Sequence, residues 1–226
     1  GQTSVAPDYV LMPRGKTDEF VIAFTAQVSK MYPTLVTNAD YTSIVNEKQY
    51  TRIQSYLDDA RAQGARVIEI NPANERFIDT RKIPPTLVLG ATPDMLIMQN
   101  EIFGPILPII ERESLSQALE FVNARPRPLA LYYFDNDSAR ADYVVTHTHS
   151  GATGINDVVT HVGVDDLPFG GVGPSGMGRY HAKEGFETYS NMKAVLERSS
   201  IYSVRYILPP FGRVAHGLIQ KLFLSK

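Results

Sequence analysis

The 226-residue chain contains no cysteine. That excludes disulfides, thiolate metal sites and a cysteine nucleophile, and it removes cysteine usage as a guide to redox compartment. Net charge is nearly absent, because 22 Lys and Arg residues stand against 24 Asp and Glu for a formal charge of -2. The basic residues are scattered, with no stripe to follow a phosphate backbone, so a nucleic-acid partner is not expected. No apolar run reaches the roughly 18 residues that cross a bilayer. Gly1-Gln2-Thr3-Ser4-Val5 lacks the basic and apolar regions of a signal peptide, and the expectation is a cytoplasmic protein. The five histidines have no metal-ligand spacing, so no metal site is expected. What remains is an ordinary globular composition, 43% hydrophobic and 20% charged, enough for one large core or two small ones.

Two periodicities alternate along the chain. Phe20, Val21, Phe24 and Val28 lie on one helical face, which predicts a helix over 16–31 with Asp18 and Glu19 in its first turn and Pro33 after its end. Ile53, Tyr56, Leu57 and Ala60 predict a second helix over 46–63, stopped at Gly64, with a strand at 66–70. The apolar runs 86–89 and 95–98, bounded by Pro and Gly, predict interior strands, and 105–110 predicts another. A helix over 114–123, a strand over 129–134 and a helix from an Asp137 or Ser138 cap to about His147 follow. This order predicts an α/β fold: a mostly parallel, doubly wound sheet flanked by helices.

From Pro168 to Gly178 the chain is too rich in glycine for a regular element and predicts a tight loop. Gly171-Val172-Gly173-Pro174-Ser175-Gly176 fits G-x-G-x-x-G, but no strand precedes it and no helix opens at its end, so it is not read as a dinucleotide fingerprint. Beyond Tyr189 the pattern changes. Residues 192–197 suit a strand without an obvious partner in the chain, which points to pairing with another subunit. Val214, Leu218, Ile219, Leu222 and Phe223 recur at helical spacing in the tail, near Arg213, Lys221 and Lys226. A membrane surface is one reading, but the helix is brief and only modestly basic, so packing on its own subunit or a neighbour is the stronger expectation. The division expected is a catalytic domain at 1–190 and an oligomerisation strand with a C-terminal tail at 191–226.

Three segments carry a resemblance. Glu101-Ile102-Phe103-Gly104-Pro105 resembles the E-x-F-G-P motif of the aldehyde dehydrogenase superfamily. The stretch from Leu167 to Gly178 resembles its P-F-G-G-x-x-x-S-G-x-G loop, and Gly1-Gln2-Thr3-Ser4 resembles the G-Q-x-C segment that holds its nucleophile. Ala6-Pro7-Asp8-Tyr9-Val10, Asn156-Asp157-Val158 and Phe186-Glu187-Thr188-Tyr189-Ser190 are similar to the class 3-type branch. Met31-Tyr32-Pro33 and Asp40-Tyr41-Thr42-Ser43-Ile44 are most similar to bacterial coniferyl aldehyde dehydrogenases.

The resemblance implies an NAD(P)-dependent enzyme that oxidises an aldehyde to the acid through a thiohemiacetal. It places Ser4 at the nucleophile position, Glu101 on the nicotinamide ribose hydroxyls and Phe103 near the nicotinamide ring. Val159, Val162, Phe169 and His181 would line the substrate tunnel, an apolar wall suited to an aromatic or fatty aldehyde. The family's glycine-rich nucleotide loop, general-base glutamate and oxyanion-hole asparagine precede the nucleophile. An upstream nucleotide-binding domain is therefore an implied partner, with a homodimer for the whole enzyme and no cofactor expected on this chain alone. A serine hydroxyl is a far weaker acid than a thiol, so little attack on an aldehyde is expected and the chain is expected to be inactive. Ser4 is open to three readings: an engineered replacement of cysteine, a natural pseudoenzyme, or an ordinary serine. A non-catalytic assembly module of the same fold is the alternative function. A serine hydrolase is excluded because no G-x-S-x-G elbow is present and Ser4 has no nearby base.

Overall fold

Apolar alternation and helical spacing resolve, in a computed structural model describing residues 1–198, 200 and 207–223, into two compact units, Gly1–Tyr189 and Ser190–Lys226. The first contains a four-stranded sheet in the order β1-β4-β3-β2 and a separate parallel pair, β5-β6. Strands β1 (Val10–Pro13), β4 (Ile106–Arg112) and β3 (Thr86–Leu89) run parallel, with Val10 opposite Ile109 and Thr86 opposite Ile106. Side chains alternate across the sheet, so neighbouring residues of β3 enter different cores. Leu87 and Ile109 pack with Val28 and Phe24 of α1 (Thr17–Met31). Val88 and Ile106 pack with Ile53, Tyr56, Leu57 and Ala60 of α2 (Glu47–Ala62). One helix on each face is the α/β architecture expected. Ile53, Leu57, Leu87 and Val88 are all at most 1% exposed, each contributing about 1.5–3 kcal/mol by burial.

Helix starts follow local chemistry. Asn46, Ser114 and Asp137 accept backbone N–H bonds at the entries to α2, α4 (Leu115–Asn123) and α5 (Ser138–His147). These bonds satisfy donors that a helix end otherwise leaves open. The unit β5 (Ala130–Tyr133), α5, β6 (Ala152–Ile155) is a parallel pair joined by its helix.

Two expectations need correction. Residues 95–98 do not form a strand: Leu96–Gln99 is one helical turn, α3, whose Leu96 N–H is received by Asp59 of α2. Met95 and Ile97 are buried, but in a four-residue run burial alone does not separate strand from helix. The sheet is mostly parallel, as expected, and its one exception is β2 (Arg66–Glu69), which pairs antiparallel with β3. Residues 70–85 carry no helix, and without a crossover helix the returning strand lies antiparallel. Met192–Glu197 belongs to no helix or strand. Helix α6 (Ala182–Thr188) and strands β1 and β6 were not anticipated, being short segments with little periodicity. In the second unit, α7 (Val214–Phe223) forms over the predicted apolar spacing. Lys226 lies outside the described residues.

Candidate active site

Parallel neighbours enter a sheet from the same end. The segments that feed β1 and β4 are therefore brought side by side, and they are 1–9 and 101–105. The N–H of Ala6 bonds to the Thr3 carbonyl at 3.0 Å, closing a turn with Ser4 and Val5 at its centre. Ser4 is exposed, whereas Val5 beneath it is 4% exposed.

Side chains tie this turn to its surroundings. Gln2 donates to the Ser43 carbonyl and accepts from the Val45 N–H, each at 3.0 Å, just ahead of α2. Asp8 accepts from the Ile102 N–H at 2.9 Å. Tyr132 donates its hydroxyl to the Val5 carbonyl at 2.6 Å. From the other side Arg52 of α2 donates to the carbonyls of Glu101 at 3.0 Å and Ile102 at 2.6 Å. The 101–105 segment is thereby gripped at an N–H and at two carbonyls, and the Pro105 carbonyl accepts from Thr86 of β3. Phe103, half-buried, takes a left-handed φ of 51° between these anchors. A cavity of about 350 Å³ opens here, lined by Gln2, Val45, Asn46, Gln49, Arg52 and Phe103.

Two carboxylates share this corner. Burial raises the pKa of Asp8, against the Ile102 hydrogen bond and Arg52, which lower it. Glu101 is raised by desolvation and by the charge of Asp8, with Arg52 opposing. Both hold protons more readily than free carboxylates.

The other residues named from sequence gather on the β5-β6 side. Val159, at φ 69°, leads into a short 3-10 turn, Thr160–Gly163, that contains Val162; both valines are half-buried. The Phe169 ring lies 6.1 Å from His181 and 6.1 Å from His161, in edge contact with Tyr180 at 5.2 Å. Phe169 and Tyr180 exchange backbone hydrogen bonds, which set the base of the glycine-rich loop. Inside that loop a Cβ on Gly171 would fall 2.0 Å from the Ser175 carbonyl, so backbone packs on backbone and no other residue fits.

Tyr132 joins the two groups. Its hydroxyl reaches Val5 and also the backbone of Val159, and its ring lies 5.8 Å from His161. Sequence reasoning passed over both Tyr132 and Arg52. Tyr132 sits inside an apolar strand beside Tyr133, and alternation says only that the two face opposite ways. Arg52 lies on a helix whose polar positions read as solvated. A larger cavity, about 370 Å³, lies at the opposite ends of the same strands and is lined by Gly15, Thr17, Glu111 and neighbours. Of its two carboxylates, Asp18 and Glu111, the latter is already engaged by Gly15 and Thr17, and none of the candidate residues lines it.

The sequence profile of the aldehyde dehydrogenase family matches residues 1–195. The chain belongs to that family. A coniferyl aldehyde dehydrogenase from a Pseudomonas species is 47% identical, aligned over 100% of this chain and 48% of its own length. The structure titled as the substrate-bound state of Staphylococcus aureus AldH superposes with a TM-score of 0.83 at 38% identity, covering 99% of this chain and 47% of that one. Betaine aldehyde dehydrogenase from Staphylococcus aureus, solved in complex with NAD+, superposes at 0.72 with 28% identity over 83% of this chain and 38% of that one. The present aldehyde dehydrogenase chain thus spans about half the length of the relatives it matches. Among its described residues no helix is long and apolar enough to cross a membrane.

Proposed function

We propose that this chain supplies the aldehyde-binding half of an NAD(P)-dependent aldehyde dehydrogenase of the coniferyl type, with Ser4 in the nucleophile's place. The observation that carries the reading is the junction of the 3–6 turn with the 101–105 segment at the entry to adjacent parallel strands. The residues present fit one edge of a nicotinamide nucleotide. Glu101 presents an exposed carboxylate for sugar hydroxyls, Phe103 presents a half-buried ring, and both border on or lie beside the Arg52 cavity. The oxidised nicotinamide, when bound, supplies the hydride acceptor.

The chain's own residues orient the aldehyde and exclude water. Phe169, His181, Val159 and Val162 form its wall, and the N–H of residue 4 is available to a developing oxyanion. A cysteine at position 4 would add its thiolate to the carbonyl carbon. Ser4 has no comparable acidity, so this step stalls.

The test is NADH formation from coniferaldehyde by the chain joined to the nucleotide-binding half of a coniferyl relative. The Ser4 form should be at least about a thousandfold slower than Ser4→Cys, the scale on which losing a nucleophile acts. Equal turnover by the two forms would overturn the assignment of position 4. Ser4 itself favours a second reading, a non-catalytic member of the family, and that reading prevails if Ser4→Cys folds, binds NAD when joined and still does not turn over.

A further inference from the structure

We infer that Tyr132 is the positioning residue of this site: its hydroxyl holds the turn that presents residue 4. The inference rests on the reading of position 4 as the nucleophile's seat. Within the turn, the Ala6 to Thr3 bond holds the N–H edge of the Val5–Ala6 peptide plane, but it ties the turn only to itself and not to the rest of the fold. The Tyr132 hydroxyl, 2.6 Å from the Val5 carbonyl, pins the opposite edge of that plane, and with it the turn, to a strand 127 residues away. With Val5 buried and its carbonyl engaged, the side chain of residue 4 is the group left facing outward.

Tyr132 is itself held. A Cβ on Gly154 would come 2.9 Å from its Cδ1, so the ring rests directly on the β6 backbone. Its other contacts are the backbone of Val159 and the ring of His161, which continues to Phe169. One phenol thus links the turn to the wall against which the aldehyde would lie. A phenylalanine would keep the ring packing and lose only the hydroxyl's contacts, to the Val5 carbonyl and the Val159 backbone. Tyr133, on the opposite face and bonded to Asp135 at 2.7 Å, is an internal control.

The cysteine-free chain makes the test clean, because Ser4→Cys introduces a single thiol. Its alkylation by iodoacetamide is followed against pH in the folded chain and in urea, with Tyr132 intact, with Tyr132→Phe and with Tyr133→Phe. In the folded chain the introduced thiol should titrate and react differently from the same thiol in urea. Tyr132→Phe should change its rate at least about threefold and move its pKa towards the free value of about 8.5, while Tyr133→Phe leaves both unchanged. If Tyr132→Phe folds and tracks its parent, the positioning role is overturned and the reading of position 4 survives. If the thiol behaves as in urea even with Tyr132 intact, the reading of position 4 falls instead. Should Tyr132→Phe not fold, difluorotyrosine at 132 serves: ionising it at raised pH removes the donated proton in the folded chain, and an unchanged alkylation rate there also overturns the proposal.

Discussion

His161 is held with both ring nitrogens enclosed and no hydrogen bond to any described residue. Desolvation lowers its pKa, and the charge of Asp157 opposes that shift without reversing it. Below the free value of about 6.5 the unfolded chain takes up a proton that the folded chain resists. The histidine's contribution to stability is therefore complete above that value and declines as pH falls through it towards the folded pKa. His161→Phe should be at least as stable as the parent at pH 7.5 and gain further on it at pH 5.5, because phenylalanine has no proton to take up in the unfolded chain. Urea midpoints across that range decide the matter, and parallel curves for the two proteins would refute it. Neither this environment nor the Tyr132 bond was legible in the sequence, since both depend on which strand faces the 3–6 turn. Ser4, Glu101 and Phe103 were legible only through their motifs, because an isolated Ser, Glu or Phe carries no chemistry that sets it apart.

At the level of elements, the crossover from β3 to β4 is secured by polar groups from elsewhere as well as by its buried Met95, Ile97 and Ile102. Arg52 gives one guanidinium N–H to the Glu101 carbonyl and another to Ile102, while Asp8 takes the Ile102 N–H. A hydrogen bond from a charged donor contributes about 1.5–3 kcal/mol, and Arg52 is only half-buried, so Arg52→Met should lower unfolding free energy by about 2 kcal/mol. Lysine should rescue this poorly, because one ammonium does not reproduce the planar fork. Urea denaturation of both variants checks the prediction, and a loss under about 0.5 kcal/mol would show the crossover to be held by its apolar packing instead. The long helices and the buried strand β3 were legible because their apolar spacing persists for several turns or sits between breakers. The α3 turn was misread and β1 missed because four residues at either period look alike. The antiparallel β2 followed from a connection without a helix, a feature of residues 70–85 that periodicity does not report.

On the scale of the whole molecule, the question is where a dinucleotide's phosphates could bind. The 171–176 stretch, despite its spacing of glycines, has turned two of its amides inward: the Val172 N–H bonds to the Ser175 hydroxyl and the Gly176 N–H to the Gly173 carbonyl. Phosphate cradles need such N–H groups free and a helix opening behind them. Here α6 begins only at Ala182. Glu101 and Phe103 offer contacts to a ribose and a ring, which is the smaller share of a dinucleotide. On the proposal of a half-site, calorimetric titration of NAD into this chain should give an affinity at least about a hundredfold weaker than into the chain joined to a relative's nucleotide-binding half. That ratio corresponds to roughly 3 kcal/mol. Glu101→Gln should weaken binding to the joined form. Tight binding by the chain alone would mean that the phosphates find a cradle within these residues, and the half-site proposal would fail.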